Sequence, residues 1–141
     1  MIREAYISDD EELAKLMTIL GYPSDSEAMK VRLKRIVNDP YYQTFVFEKD
    51  KKLLGMIGMT YSLAYHTSDT HVRVIAFVVD EHAQGKGIGR SLMGKAEEWT
   101  LSKGANRITL NSGNRSERDS AHSVYHRLGF EGKATGFYKD L

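Results

Sequence analysis

The chain has 141 residues, 20 basic against 19 acidic, with 41% hydrophobic and 28% charged side chains and no cysteine. These values fit one ordinary globular domain, long enough to bury roughly two thirds of its unfolded surface. They exclude disulfides, thiolate metal sites and a cysteine nucleophile, and a net charge of +1 argues against a dedicated nucleic-acid binder.

Residues 1–7 read as a first strand. Ser8-Asp9-Asp10-Glu11 has capping-box spacing, and Leu13, Leu16, Met17 and Leu20 follow as a helical stripe closed by Gly21 and Pro23. A second box, Ser24 to Glu27, opens a helix carrying Met29, Leu33, Ile36 and Val37, which Asn38-Asp39-Pro40 ends. Residues 43–48 and 53–61 are strands joined by the turn Lys49-Asp50-Lys51-Lys52. The strand at 72–79 is apolar on both faces from Val74 onward, the pattern of a central strand. A helix from about Gly87 shows Ile88, Leu92, Met93, Ala96 and Trp99 at helical spacing and stops at Lys103-Gly104. Arg107 to Asn111 is the next strand, a helix spans about 119–128, and short strands near 130–134 and 136–140 close the chain. No apolar run reaches the roughly 20 residues of a membrane span. Met1-Ile2-Arg3-Glu4 opens without a signal-peptide core, so a cytoplasmic protein is expected. The interleaved elements predict an α/β or α+β fold, with a mixed central sheet of about six to seven strands flanked by about four helices.

Between the strand at 72–79 and the next helix lies Gln84-Gly85-Lys86-Gly87-Ile88-Gly89. A strand, a glycine turn and a helix N-terminus make a nest of free N–H groups that binds phosphate. A Walker A loop would need glycine at 80 and Ser or Thr at 87, where the chain has Asp80 and Gly87. The dinucleotide fingerprint needs G-x-G-x-x-G early in the chain and an acid at the end of the next strand. Here the glycines are spaced G-x-G-x-G at mid-chain and that strand ends at Asn111. What remains is R/Q-x-x-G-x-G/A, met by Gln84, Gly87 and Gly89.

With this loop and the later run Ala121-x-x-x-Tyr125-x-x-x-Gly129-Phe130, the chain resembles the GCN5-related N-acetyltransferase (GNAT) family over nearly its whole length. The resemblance implies a single N-acetyltransferase domain, 1–141, using acetyl-CoA as co-substrate with no metal. The coenzyme would be held by Phe77, Val78 and Val79 of the strand, by Gln84, Gly85, Lys86, Gly87, Ile88, Gly89 and Arg90 of the loop, and by Asn111 and Asn114. It also implies no membrane or nucleic-acid partner, and homodimers are common in the family.

Acetyl transfer requires the amine to lose its proton, the carbonyl oxygen to be stabilised as charge builds, and the leaving thiolate to be protonated. Tyr125 matches the family's general acid, and a Schellman cap at Gly129 would pack it against Phe130. The oxyanion donor would be the backbone N–H of Phe77 or Val78. Many relatives carry a glutamate base near positions 73 or 75, where this chain has Arg73 and Ile75. His71 or a water path to solvent are the alternatives. His122 and His126 share a helix face without the glutamate of H-E-x-x-H, so solvated or capping roles are expected of them. Arg115 and Arg118 either contact coenzyme phosphate or lie on a solvated loop.

The acceptor pocket would lie between the first two helices, Tyr22, Tyr41-Tyr42 and the loop from Tyr61 to His71. Residues 114–122 and the ending Phe137 to Leu141 are similar to small aminoalkylphosphonate acetyltransferases of the family. On that likeness Arg73 would pair with an anionic acceptor group. A peptide or protein acetyltransferase and a non-catalytic acyl-CoA sensor are the competing classes.

Overall fold

The computed structural model describes residues 1–111, 119–132 and 136–141. They form two compact units, Met1–Thr109 and Leu110–Leu141.

Strand β1 (Ile2–Glu4) leads through a 3-10 turn, Ile7–Asp9, into helix α1 (Asp10–Leu20). The turn closes on Asp9, whose carboxylate accepts from the Tyr6 backbone N–H at 2.7 Å. The cap expected at Ser8 therefore falls one residue later. Gly21, at φ +110°, ends α1, and Tyr22 N–H donates to the Met17 carbonyl at 2.9 Å. Helix α2 (Ser26–Val37) is capped by Asp25, which accepts from Ala28 N–H at 2.8 Å, rather than by Ser24. Strands β2 (Tyr42–Lys49) and β3 (Lys52–Ser62) form the expected hairpin. Asp50 and Lys51 at its tip take φ +52° and +64°, the two left-handed positions of a turn that matches strand twist. Then come β4 (His71–Val79), a 3-10 turn at Glu81–Ala83, helix α3 (Ile88–Ser102), β5 (Ile108–Leu110) and helix α4 (Asp119–Arg127).

The mixed sheet runs β1-β2-β3-β4-β5, with β1 to β4 antiparallel neighbours. Five strands among the described residues replace the expected six to seven. Residues 130–132 and 136–140 form no strand, and 133–135 lie outside the described residues. Phe137 and Tyr138 in that stretch are 92% and 84% exposed, without the packed face a short strand needs.

Register sorts the sheet into two faces. Val46, Met56 and Val78 form one row and join Leu13, Ala14, Leu16, Met29 and Leu33 of α1 and α2 in one buried cluster. The opposite face carries the row Phe45, Ile57 and Phe77. Helix α3 covers it, burying Ile88, Leu92, Met93 and Ala96 as their spacing predicts. Among the described residues no helix is long and apolar enough to cross a membrane.

In the second unit, α4 ends as expected. Phe130 N–H donates to the Tyr125 carbonyl and Gly129 N–H to that of His126, both at 3.0 Å, with Gly129 at φ +95°. The Tyr125 and Phe130 rings meet edge-on at 6.4 Å. Nδ1 of His126 donates to the Phe130 carbonyl at 3.1 Å, a capping role.

One ionic cluster was not apparent from the sequence. Arg3 of β1 donates twice to Asp9, both bonds at 2.9 Å, and also to Glu48 of β2. Burial pushes the Asp9 carboxyl up, but the Arg3 hydrogen bond, the Tyr6 N–H and the Arg3 charge together outweigh it and hold the pKa below its usual 3.8. A depressed carboxyl pKa stabilises the fold above the unfolded value, and the gain is lost as pH falls through the folded value. Asp9→Asn should therefore cost about 1–3 kcal/mol at neutral pH. Urea unfolding should show the gap between the two proteins closing as pH drops below about 3.8.

Candidate active site

The anion-binding turn is built by the strand that precedes it and the helix that follows. Gly55 of β3 lets α3 come close: a Cβ there would lie 3.0 Å from Leu92 Cδ1, 3.2 Å from Ile88 Cγ2 and 3.2 Å from the Val78 carbonyl. Ile88, the first residue of α3, is 4% exposed, so the helix is anchored at its N-terminus. Phe77 and Val79 lie beneath it, with a Cβ on Gly89 set to meet each at 3.6 Å. Asp80 receives the His82 N–H at 2.9 Å, and the Gln84 amide donates to the Val79 carbonyl at 3.4 Å. Gly85 and Gly87 then turn the chain through φ +80° and +79°, conformations that side chains with a Cβ rarely adopt.

Among the described residues the N–H groups of residues 85–90 take no hydrogen bond, and the first helical bond is Ser91 N–H to the Gly87 carbonyl at 3.0 Å. Lys86 and Arg90 are exposed, and neither pairs with a carboxylate of the described residues. Free amides at a helix start, flanked by two cations, form a site for a phosphate or pyrophosphate. Ile88 takes part through its backbone only, since its side chain is core.

Strand β4 carries a bulge that the sequence does not announce. Gly58 pairs with Ala76 and Met59 with Val74, leaving Ile75 as an extra residue. Ile75 is 43% exposed. The strand also outruns its neighbour, nine residues against three in β5, so much of that edge has no ladder partner among the described residues. His71 sits at the far end, opposite Ser62. Six residue steps, with the bulge among them, carry the strand from it to Phe77, at most roughly 20 Å. The structure does not bring His71 together with the candidate oxyanion donors Phe77 and Val78.

On the α1–α2 face lies an open groove of about 640 Å³, lined by Met17, Leu20, Tyr22, Ser24, Arg32, Ile75 and Ala76 among others. Tyr22 was expected here; Arg32 was not, because on α2 it is one of a run of exposed cations with Lys30, Lys34 and Arg35. Register places Arg73 opposite Thr60, on the same face as Ala76 and exposed. Tyr41 and Tyr61 stack at 6.0 Å. Asn111 is exposed just beyond β5. Tyr125 is half-buried in the second unit. Asn114, Arg115 and Arg118 lie outside the described residues, as does the side chain of His122.

A strand, a left-handed glycine turn and a helix anchored on the sheet define a phosphate-binding class of site. The acetyltransferase (GNAT) family model matches residues 7–130, and the chain belongs to the GCN5-related N-acetyltransferase family. It is similar to the uncharacterized N-acetyltransferase YhdJ of Bacillus subtilis, at 25% identity over 92% of both chains. A GNAT family acetyltransferase of Staphylococcus aureus superposes over all of this chain and 98% of its own, with 33% identity and a TM-score of 0.84. AAC(6')-Iy in complex with the bisubstrate analogue CoA-S-monomethyl-acetylneamine shares the fold, with a TM-score of 0.85 at 18% identity over all of this chain and 97% of its own.

The close approach at Gly55 has a measurable cost. Gly55→Ala should destabilise the protein by about 1–3 kcal/mol through overpacking against α3. A Cβ at Gly58 would meet nothing nearer than 3.5 Å, so Gly58→Ala should be neutral or stabilising by up to about 1 kcal/mol. Urea midpoints of the two variants test the contrast.

Proposed function

We propose that this protein is an acetyl-CoA-dependent N-acetyltransferase acting on a primary amine of a small molecule by direct attack, with both substrates bound together and residues 1–141 acting as one catalytic domain. The observation that carries the reading is the row of unpartnered N–H groups at residues 85–90 between Lys86 and Arg90. The family match across both compact units supports the single-domain reading, and the coenzyme analogue held by AAC(6')-Iy supports the choice of donor.

When bound, the coenzyme supplies a thioester carbonyl and a thiolate leaving group. The amides of Gly85 to Arg90, with the Lys86 and Arg90 cations, hold its pyrophosphate, with Gln84 beside them and Asn111 and Asn114 assigned to the pantetheine arm. A backbone N–H of Phe77 or Val78 donates to the carbonyl oxygen as charge develops. The amine nitrogen forms the C–N bond and sheds its proton to water, and the C–S bond breaks. Tyr125 gives its proton to the sulfur. Water is the better proton acceptor here because His71 stands up to roughly 20 Å along β4 and the groove beside Ile75 is open to solvent.

Thiol release from acetyl-CoA against small amines and lysine peptides tests the reading. Release with small amines is expected; release with peptides alone would move the activity to proteins, and tight coenzyme binding with no release would leave a sensor. Tyr125→Phe should lower kcat by about 100-fold or more with the Kd for acetyl-CoA unchanged by calorimetry. An unaltered kcat removes Tyr125 from the mechanism. Lys86→Ala should weaken acetyl-CoA binding by roughly tenfold, and less at high salt.

A further inference from the structure

We propose that the groove between α1, α2 and the β4 bulge selects acceptors with an anionic end, and that Arg32 holds that end, a carboxylate, sulfonate or phosphonate. The inference rests on the acetyltransferase reading and concerns its acceptor.

The groove has a cation and, among the described residues that line it, no acid. Arg32 Nη1 donates to Ser24 Oγ at 2.9 Å, and Ser24 Oγ donates to the Tyr22 carbonyl at 3.2 Å. The serine thereby fixes one corner of the guanidinium to the α1–α2 connection. That connection is itself tied down by Gly21 and by the bond from Tyr22 N–H to Met17. A guanidinium carries five N–H donors in a planar fork. One is taken by Ser24, and no carboxylate of the described residues pairs with Arg32. A fork held at one corner beside the apolar walls of Met17, Leu20 and Ile75 suits bidentate capture of a planar or tetrahedral anion.

Arg73 strengthens the field. It is the next residue along β4 on the Ala76 face, beyond the bulge, and it is exposed without a partner among the described residues. Two uncompensated guanidinium groups on one face draw an anion toward the groove and repel a polycation. An amine without an anionic end gains nothing from either.

The test is steady-state thiol release by the intact protein at saturating acetyl-CoA. The matched acceptors are 2-aminoethylphosphonate, taurine and β-alanine against ethanolamine and propylamine, with 1,3-diaminopropane as the cationic case. The wild type should prefer the anionic set in kcat/KM by about tenfold or more. Arg32→Ala should raise KM for that set by a similar factor, with little change in kcat or in KM for acetyl-CoA. Arg32→Lys should restore part of the loss, since it keeps the charge and loses the fork. Ser24→Ala should shift KM in the same direction by a smaller factor. Arg32 is exposed, and thermal unfolding checks that the variants fold. Turnover of amines without an anionic end, or of the diamine, equal to that of acceptors carrying one overturns the proposal and leaves the acetyltransferase standing, as does an Arg32→Ala penalty shared by all acceptors. Coenzyme binding with no turnover of any amine overturns both.

Discussion

The site depends on how closely α3 approaches the sheet. A helix whose first residue is buried cannot swing its N-terminus away, and Ile88 is seated against Gly55 with Leu92 one turn behind it. Eight residues, 80–87, must then carry the chain from the end of β4 back to that fixed start. A short return over the top of a strand needs sharp turns, and the left-handed Gly85 and Gly87 provide them. The consequence is electrostatic. The amides of the first helical turn have no carbonyl ahead of them to bond, and with the helix end pinned they stay in a fixed array, turned to solvent. Packing on the inner side of α3 thus creates the anion-binding turn on its outer end.

The bulge at Ile75 shapes the groove on the α1–α2 face in a comparable way. Without the extra residue, alternation would carry Val74 and Ala76 on one face and Phe77 on the other. With it, Val74 and Phe77 both face α3, while Ala76 and Val78 face α1 and α2. Ile75 is left over, belongs to neither core and lines the groove. The same irregularity therefore satisfies two cores and supplies a wall to the groove. Bulges increase local twist and interrupt pairing, here the pairing of β4 with β3.

What the sequence made legible was what local chemistry controls. The α3 stripe, the hairpin turn at Asp50-Lys51 and the cap at Gly129 each depend on residues within a few positions of one another, and each took the expected form. Caps moved by a residue where several candidates stand in a row: α1 starts after Asp9 rather than Ser8, with the Asp9 carboxylate turned back to Tyr6 N–H, and the Asp25 carboxylate rather than Ser24 caps α2. The bulge was hidden because a strand apolar on both faces has no alternation to interrupt. The Arg3–Asp9–Glu48 cluster joins residues 45 apart in sequence, and Arg32 is distinguished from its cationic neighbours only by facing Ser24. His71 looked eligible because it begins the right strand, and the strand's length sets it apart from Phe77 and Val78.

Donor and acceptor recognition differ in what they ask of a sequence. On the proposed reading the pyrophosphate is met by backbone amides, so the requirement is a shape: two residues able to take positive φ, a small residue on β3 and an apolar first residue on the helix. Many side chains elsewhere are compatible with that shape, and at 33% identity the whole chain still superposes on a family member. The acceptor groove is formed by side chains from the end of α1, the connection, the outer side of α2 and a bulge. None of Tyr22, Ser24, Arg32 or Ile75 is a large fully buried residue, so changing them disturbs little core packing. A helix surface that tolerates change can alternate between cationic and acidic groups while the donor turn stays as it is. The proposed donor site is therefore set by the backbone shape of one turn, and on the same reading the choice of amine rests with side chains on the α2 side of the groove.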